Sequence, residues 1–147
     1  MVLKKINLQN KVKKLNLQDK IIFLNFIPNN QIGLYYQLGD VFVNASLFET
    51  QGLTFIEALS SALPVLARYD EALDGVIENR KNGFFYKDKK DFVKILNDLC
   101  NNKQKYQEIS KQAQNSIQDY KQEIFAAKMI DIYKAAISEN NLKLKKE

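Results

Sequence analysis

Apolar positions in this chain alternate between short runs and helical spacings, and the alternation is clearest in the middle. DVFVNAS, Asp40 to Ser46, is apolar and partly β-branched and leads into a polar turn, which predicts a buried strand. After the turn, Leu47 to Gly52, the stretch LTFIEALSSAL places Phe55, Ile56, Leu59 and Leu63 on one helix face, with Thr54 in the first turn. A second strand is predicted from Leu63 to Ala67. Strand, helix and strand at this spacing suit a right-handed parallel crossover.

The flanks extend the pattern. Leu3 to Leu15 predicts a rather poor amphipathic helix with a basic face formed by Lys4, Lys5, Lys11, Lys13 and Lys14, read first as a solvated face and otherwise as a contact for acidic headgroups. KIIFLNFI, Lys20 to Ile27, predicts a buried strand stopped by Pro28, Asn29 and Asn30. Gln31 to Leu38 predicts a short helix with Ile32, Tyr35 and Tyr36 turned inward, the tyrosines as core. Downstream, Asn82-Gly83 signals a turn into a third strand, Gly83 to Tyr86. Helices are predicted over Lys89–Leu99, Lys103–Tyr120 and Gln122–Ile137. The last has a broad apolar face (Ile124, Phe125, Met129, Ile130, Ile132, Tyr133, Ile137) that reads as core against the sheet or a missing partner. One α/β domain is expected over 1–137, with a short parallel sheet, flanking helices and a helical C-terminus, followed by a basic polar tail over 138–147 that frays.

Composition narrows the chemistry. The chain has no histidine, so it lacks the usual general base at neutral pH and the commonest metal ligand. Its single cysteine, Cys100, reads as a buried spectator and fits a reducing compartment. Net charge is +5, which suits a nucleic acid, an anionic membrane surface or an anionic small ligand. Without a zinc pattern, a G-x-x-x-x-G-K-[ST] loop or RNP-like aromatics, nucleic acid is not the expected partner. No apolar run approaches the ~20 residues of a membrane span, and MVLKKINLQNK is no leader, so a soluble cytoplasmic protein is expected.

Two carboxylates frame the central turn: Glu49 in the loop and Glu57 in the first turns of the helix. A helix N-terminus offers free N–H groups and partial positive charge, and Gly52 lets a ligand approach the chain, so a phosphate is a natural guest. The carboxylates would accept hydrogen bonds from hydroxyls. Phosphate plus polyhydroxyl describes a sugar nucleotide. A plainer reading stands beside it: Thr54 to Glu57 is also T-x-x-E, a capping box in which Glu57 turns back to the backbone and binds nothing.

The wider string, Ser46, Glu49, Gly52, Leu53, Glu57, Ala58, Pro64 and Val65, resembles the E-x7-E donor-site signature of retaining, GT-B-type glycosyltransferases of family 4. With KIIFLNFIP, YYQLGDVFV and GVIENRKNGFFY the resemblance runs from Leu3 to Leu99. It implies part of a nucleotide-sugar-binding, Rossmann-like three-layer sandwich. It assigns the ribose to Glu57, the donor sugar to Glu49, Gln51, Gly52 and Leu53, the diphosphate to Leu53 and Thr54, and the nucleobase vicinity to Asn25, Phe26 and Ile27. The donor would be a nucleoside-diphosphate hexose, with no metal and no cofactor. ETQGLT resembles bacterial diacylglycerol glucosyltransferases, so a lipid acceptor and peripheral contact with the inner face of the membrane are expected, with cell-envelope glycan as the other acceptor class.

Three positions depart from the family pattern. Asn25 and Ala62 stand where glycine is usual, the latter implying an altered helix end, and RYDEALDG, Arg68 to Gly75, replaces a double-glycine loop. The resemblance covers only the later part of one domain. An N-terminal acceptor domain, in cis or in trans, and the basic grip on the diphosphate are missing, so no complete catalytic set is expected and the chain alone should be inactive. The rival class is a non-catalytic module that binds a partner protein or anionic membrane through its basic helix and apolar C-terminal faces. Another phosphate-binding Rossmann-like fold is disfavoured by the absence of G-x-G-x-x-G.

Overall fold

The computed structural model of the chain describes residues 2–49 and 52–144. It divides into two compact units, Met1–Ile32 and Gly33–Glu147. In the first, α1 (Val2–Lys14) ends on Lys11, Lys13 and Lys14, where cations meet the negative end of the helix dipole. Asn16 leaves the helix at φ 54, a left-handed angle that asparagine tolerates.

The strand expected over Lys20–Ile27 does not form. An apolar run becomes a strand only when a neighbouring strand takes up its N–H and C=O groups, and among the described residues all three strands lie in the second unit. Ile22 and Phe26 are accordingly 85% and 87% exposed. Helix α2 (Asn29–Gln37) follows Pro28; of its expected inner face, Ile32 and Tyr36 are half-buried and Tyr35 is exposed.

The second unit contains β1 (Phe42–Asn44), α3 (Leu53–Ser60), β2 (Val65–Ala67), β3 (Gly83–Phe85), α4 (Lys89–Asn101), α5 (Lys103–Ser116) and α6 (Gln122–Leu144). Two 3₁₀ turns, Glu71–Leu73 and Gln118–Tyr120, join them. The sheet is parallel in the order β1-β2-β3, with Val65 opposite both Phe42 and Gly83, and Ala67 opposite Asn44 and Phe85. The central strand reads Val-Leu-Ala without a polar position because both of its faces are covered. Val65 and Ala67 join Phe55, Leu59 and Leu73 on one side, and Leu66 joins Phe84, Leu99 and Ile109 on the other. The α/β three-layer arrangement expected from the sequence is the one found.

Three details hold these layers in register. A Cβ on Gly83 would lie 2.7 Å from the Val65 carbonyl oxygen and 3.1 Å from Val65 Cβ, so strands β2 and β3 approach as they do because residue 83 has no side chain. Asn82, fully buried, accepts from the Glu78 N–H at 2.9 Å and donates to the Val76 carbonyl and to Ser116 Oγ, each at 2.9 Å. Ser110 Oγ donates to the Ala62 carbonyl at 2.7 Å, tying α5 to the end of α3.

That helix end corrects the expectation of an altered geometry. Ala62 takes φ 59, the Leu63 N–H bonds to the Ala58 carbonyl and the Ala62 N–H to the Leu59 carbonyl, which together make the Schellman closure usual for glycine. The alanine bears the left-handed strain instead of avoiding it. Ala62→Gly is therefore expected to raise stability by about 0.5–1 kcal/mol, the strain relieved less the extra freedom of an unfolded glycine. A denaturant midpoint unchanged or lowered would refute this.

Two further expectations are corrected. Cys100 is exposed rather than buried, because its neighbour Leu99 takes the core position of α4. The apolar face of α6 does not pack on the sheet among the described residues: Phe125, Ile130, Ile132, Tyr133 and Ile137 are 52–62% exposed, and only Ile124 and Met129 are half-buried, which leaves the other half of the expectation, a missing partner, untouched. The helix packs mainly on the 3₁₀ turn before it. Its backbone continues through Leu144, into the stretch read as a tail.

Candidate functional site

The start of α3 forms the candidate site. Its N-cap is Gly52, buried and left-handed (φ 61, ψ 21), and no described side chain caps the helix. A Cβ there would meet Leu73 Cδ2 at 3.2 Å, so the loop Arg68–Gly75 sets the helix start by pressing Leu73 under the glycine. The Gly52 carbonyl accepts from Phe55 and Ile56 N–H groups at 2.9 and 3.2 Å. The N–H groups of Leu53 and Thr54 have no bond within the described chain. Uncapped N–H groups at a helix start are donors awaiting an anion.

The capping box is not made. Glu57 does not reach back to the backbone; it accepts a hydrogen bond from the Tyr36 hydroxyl at 3.0 Å, and it is exposed. Glu49, half-buried, accepts from Asn44 Nδ2 at 3.2 Å, at the carboxyl end of β1. Asn44 is itself fixed: its Oδ1 accepts from the Ser46 N–H at 2.6 Å and its carbonyl from the Tyr86 hydroxyl at 3.2 Å. Each carboxylate is held by one donor from a neighbouring element and retains lone pairs for further hydroxyls.

Tyr36 corrects its reading as plain core. Its ring packs 5.8 Å from that of Phe42, but its hydroxyl belongs to the site. Burial, then the hydrogen bond to Glu57 and the charge of Glu57, push its pKa up to about 12. Tyr36 is thus a donor to Glu57 throughout the neutral range. Its only signal in the sequence is a phenol in an inward position, which requires a partner when buried. Asn44 was more visible, as a polar residue closing an apolar strand.

The other expected positions are distributed as follows. Leu53 and Thr54 are exposed on the first turn of α3, beside Gly52. Gln51 lies outside the described residues. Asn25, Phe26 and Ile27 belong to the first unit, where Asn25 Oδ1 accepts from Lys5 Nζ at 2.6 Å, Phe26 is exposed and Ile27 is half-buried. In the loop that departs from the family pattern, Asp70 caps the 3₁₀ turn by accepting from the Ala72 N–H at 2.9 Å, and Tyr69 donates to Asp74 at 3.3 Å.

Helix-start donors follow the carboxyl end of a parallel strand, with two anchored carboxylates near them in sequence, which is where α/β folds place ligands. Comparison with known proteins agrees on the class. Residues 4–116 match the family described as glycosyl transferases group 1. The chain is 42% identical over 124 residues to alpha-monoglucosyldiacylglycerol synthase of Acholeplasma laidlawii, covering 84% of this chain and 31% of that protein. The protein of the same name from Streptococcus pneumoniae is 40% identical over 65 residues, 44% of this chain and 15% of that one. The chain thus spans less than a third of these relatives.

Among solved structures, the C-terminal domain of a glycosyl transferase group 1 family protein (LpcC) from Francisella tularensis superposes with a TM-score of 0.69 at 29% identity, over 77% of this chain and 60% of that one. Anabaena Alr3699/HepE in complex with UDP gives a TM-score of 0.80 at 21% identity, over 88% and 36%, and so shares the fold. No helix among the described residues is long and apolar enough to cross a membrane. By the match over most of its length and by the fold, this chain belongs to the glycosyl transferases group 1 family.

Proposed function

We propose that the chain is the donor-binding part of a glycosyltransferase that moves a hexosyl group from a nucleoside-diphosphate sugar to a lipid or cell-envelope glycan acceptor. The observation that carries this reading is the glycine-opened start of α3, uncapped by any described side chain, with Glu49 and Glu57 each anchored by a hydrogen bond. In it, Glu57 binds the ribose; Glu49, Gln51, Gly52 and Leu53 meet the sugar; Leu53 and Thr54 N–H groups hold the diphosphate; and Asn25, Phe26 and Ile27 adjoin the base. The helix end does the neutralising and no metal or cofactor is needed. The names of the two synthases favour a diacylglycerol-type acceptor, and the UDP complex of a neighbour favours a uridine donor. An acceptor domain, in cis or in trans, completes the enzyme, which works in the cytoplasm at the inner membrane face; this chain by itself does not turn over.

Calorimetric titration with UDP-glucose, UDP and GDP tests the reading. One nucleotide should bind, and Glu57→Ala should weaken it by about 1–3 kcal/mol, the effect of leaving hydroxyl partners unpaired. Binding unaffected by Glu57→Ala would refute the ribose role, and no binding of any nucleotide, with or without an added acceptor domain, would refute the donor site. One observation favours the other reading, a non-catalytic module for a partner protein or anionic membrane: the exposed apolar residues of α6.

A further inference from the structure

Strand β3 is one edge of the sheet, but two of its outward groups are already used. The Phe85 N–H donates to Asn79 Oδ1 at 3.1 Å, and the Gly83 carbonyl accepts from the Arg80 N–H at 2.7 Å. An added peptide strand finds no free ladder groups at these positions. Beside this edge lies a cleft of about 720 Å³ with charged residues set against an apolar floor of Phe84, Phe85 and Ile95.

Four cations line it, Arg80, Lys87, Lys94 and Lys105, against two carboxylates, Asp91 and Asp98. Asp98 is paired with Lys105, whose ammonium sits 5.4 Å from the centroid of the Phe84 ring. Asp91 accepts from the Lys87 N–H at 3.1 Å in the first turn of α4, where the helix dipole favours its charge. Arg80, Lys87 and Lys94 make no ion pair among the described residues. Arg80 also holds φ 68, so an arginine occupies a left-handed position that glycine would take without strain. Three uncommitted cations from a loop, a strand end and a helix converge on one cleft.

We propose that this cleft is a second anion site, separate from the start of α3, which takes a phosphoryl group of two negative charges through Arg80, Lys87 and Lys94. The guanidinium provides a two-pronged donor for phosphate oxygens and the lysines provide point charges. The same chemistry serves a soluble diphosphate or a phosphomonoester lipid headgroup, and 720 Å³ accommodates either group with its substituent.

The test uses the full isotope-labelled chain in two arms: inorganic pyrophosphate followed at the backbone amides of Phe85, Lys87 and Lys94, and co-sedimentation with phosphatidylcholine vesicles with and without phosphatidic acid. Saturable binding is expected in at least one arm, and the arm that responds names the source. The double variant Arg80→Gly, Lys94→Gln should weaken it about tenfold or more, since each lost cation removes a charge-assisted contact. Its thermal midpoint should not fall, because glycine relaxes residue 80, so lost binding cannot be put down to lost fold. The amides of Leu53 and Thr54 report the donor site in the same spectra, which keeps the two readings apart. No response at the cleft amides together with no vesicle binding, or binding undiminished in the double variant, overturns the proposal.

Discussion

Gly83→Ala is expected to destabilise the second unit by about 3 kcal/mol or more, at the upper end of what single substitutions do. The added Cβ would stand 2.7 Å from the Val65 carbonyl oxygen and 3.3 Å from Ile77 Cγ2. Neither neighbour can swing away: one is backbone of the central strand and the other a buried, β-branched side chain. Relief requires β3 to separate from β2, breaking the register that pairs Gly83 with Val65. Gly33→Ala in α2 is the control, because a Cβ there meets nothing within 4 Å and alanine is the better helix former. Urea midpoints of the two variants should move in opposite directions. A Gly83→Ala protein as stable as the parent would mean that the strands are not held this closely.

Asn82→Ala should cost about 2–4 kcal/mol for a different reason. Nothing clashes; instead the Glu78 N–H, the Val76 carbonyl and Ser116 Oγ lose their partner around a side chain with no exposure to water. Asn82→Asp should fare no better, since it places an oxyanion where a donor faces the Val76 carbonyl. The bond across to α5 can be isolated with Ser116→Ala: the double substitution should cost less than the sum of the singles, because both remove one shared contact. Strict additivity by denaturant unfolding would show that Asn82 and Ser116 do not interact.

Much of the second unit was legible in the sequence, and the reason is periodicity. Phe55 and Leu59 pack where their helical spacing placed them, and the unbroken Val65-Leu66-Ala67 run is the strand covered on both faces. What failed was wherever the outcome depended on a partner that composition does not name. KIIFLNFI has the residues of a buried strand but no ladder to join, and the apolar face of α6 has no surface to cover it within the described chain.

At the candidate site, Glu49, Gly52 and Glu57 stand out by residue type and spacing. Tyr36 and Leu73 do not, since the contact of a tyrosine hydroxyl with a carboxylate 21 positions away, or of a leucine beneath a glycine, is created by folding alone. Asn82 was read as half of a turn signal and does sit in the turn that leads into β3; what the sequence did not show is that its side chain is also a buried clamp.

The sheet order carries a consequence for how the protein forms. Every strand pairs with its neighbour in sequence, so the sheet can assemble through short loop closures as each crossover is completed. The contacts of α5 are of another kind: Ser110 to Ala62 and Ser116 to Asn82 close spans of 48 and 34 residues. By loop-closure entropy, bonds of such span are expected to form after the local ones and to break early on the way out. Contacts absent from the transition state would leave the rate of folding nearly untouched and act as a latch on the finished structure, setting how slowly it comes apart.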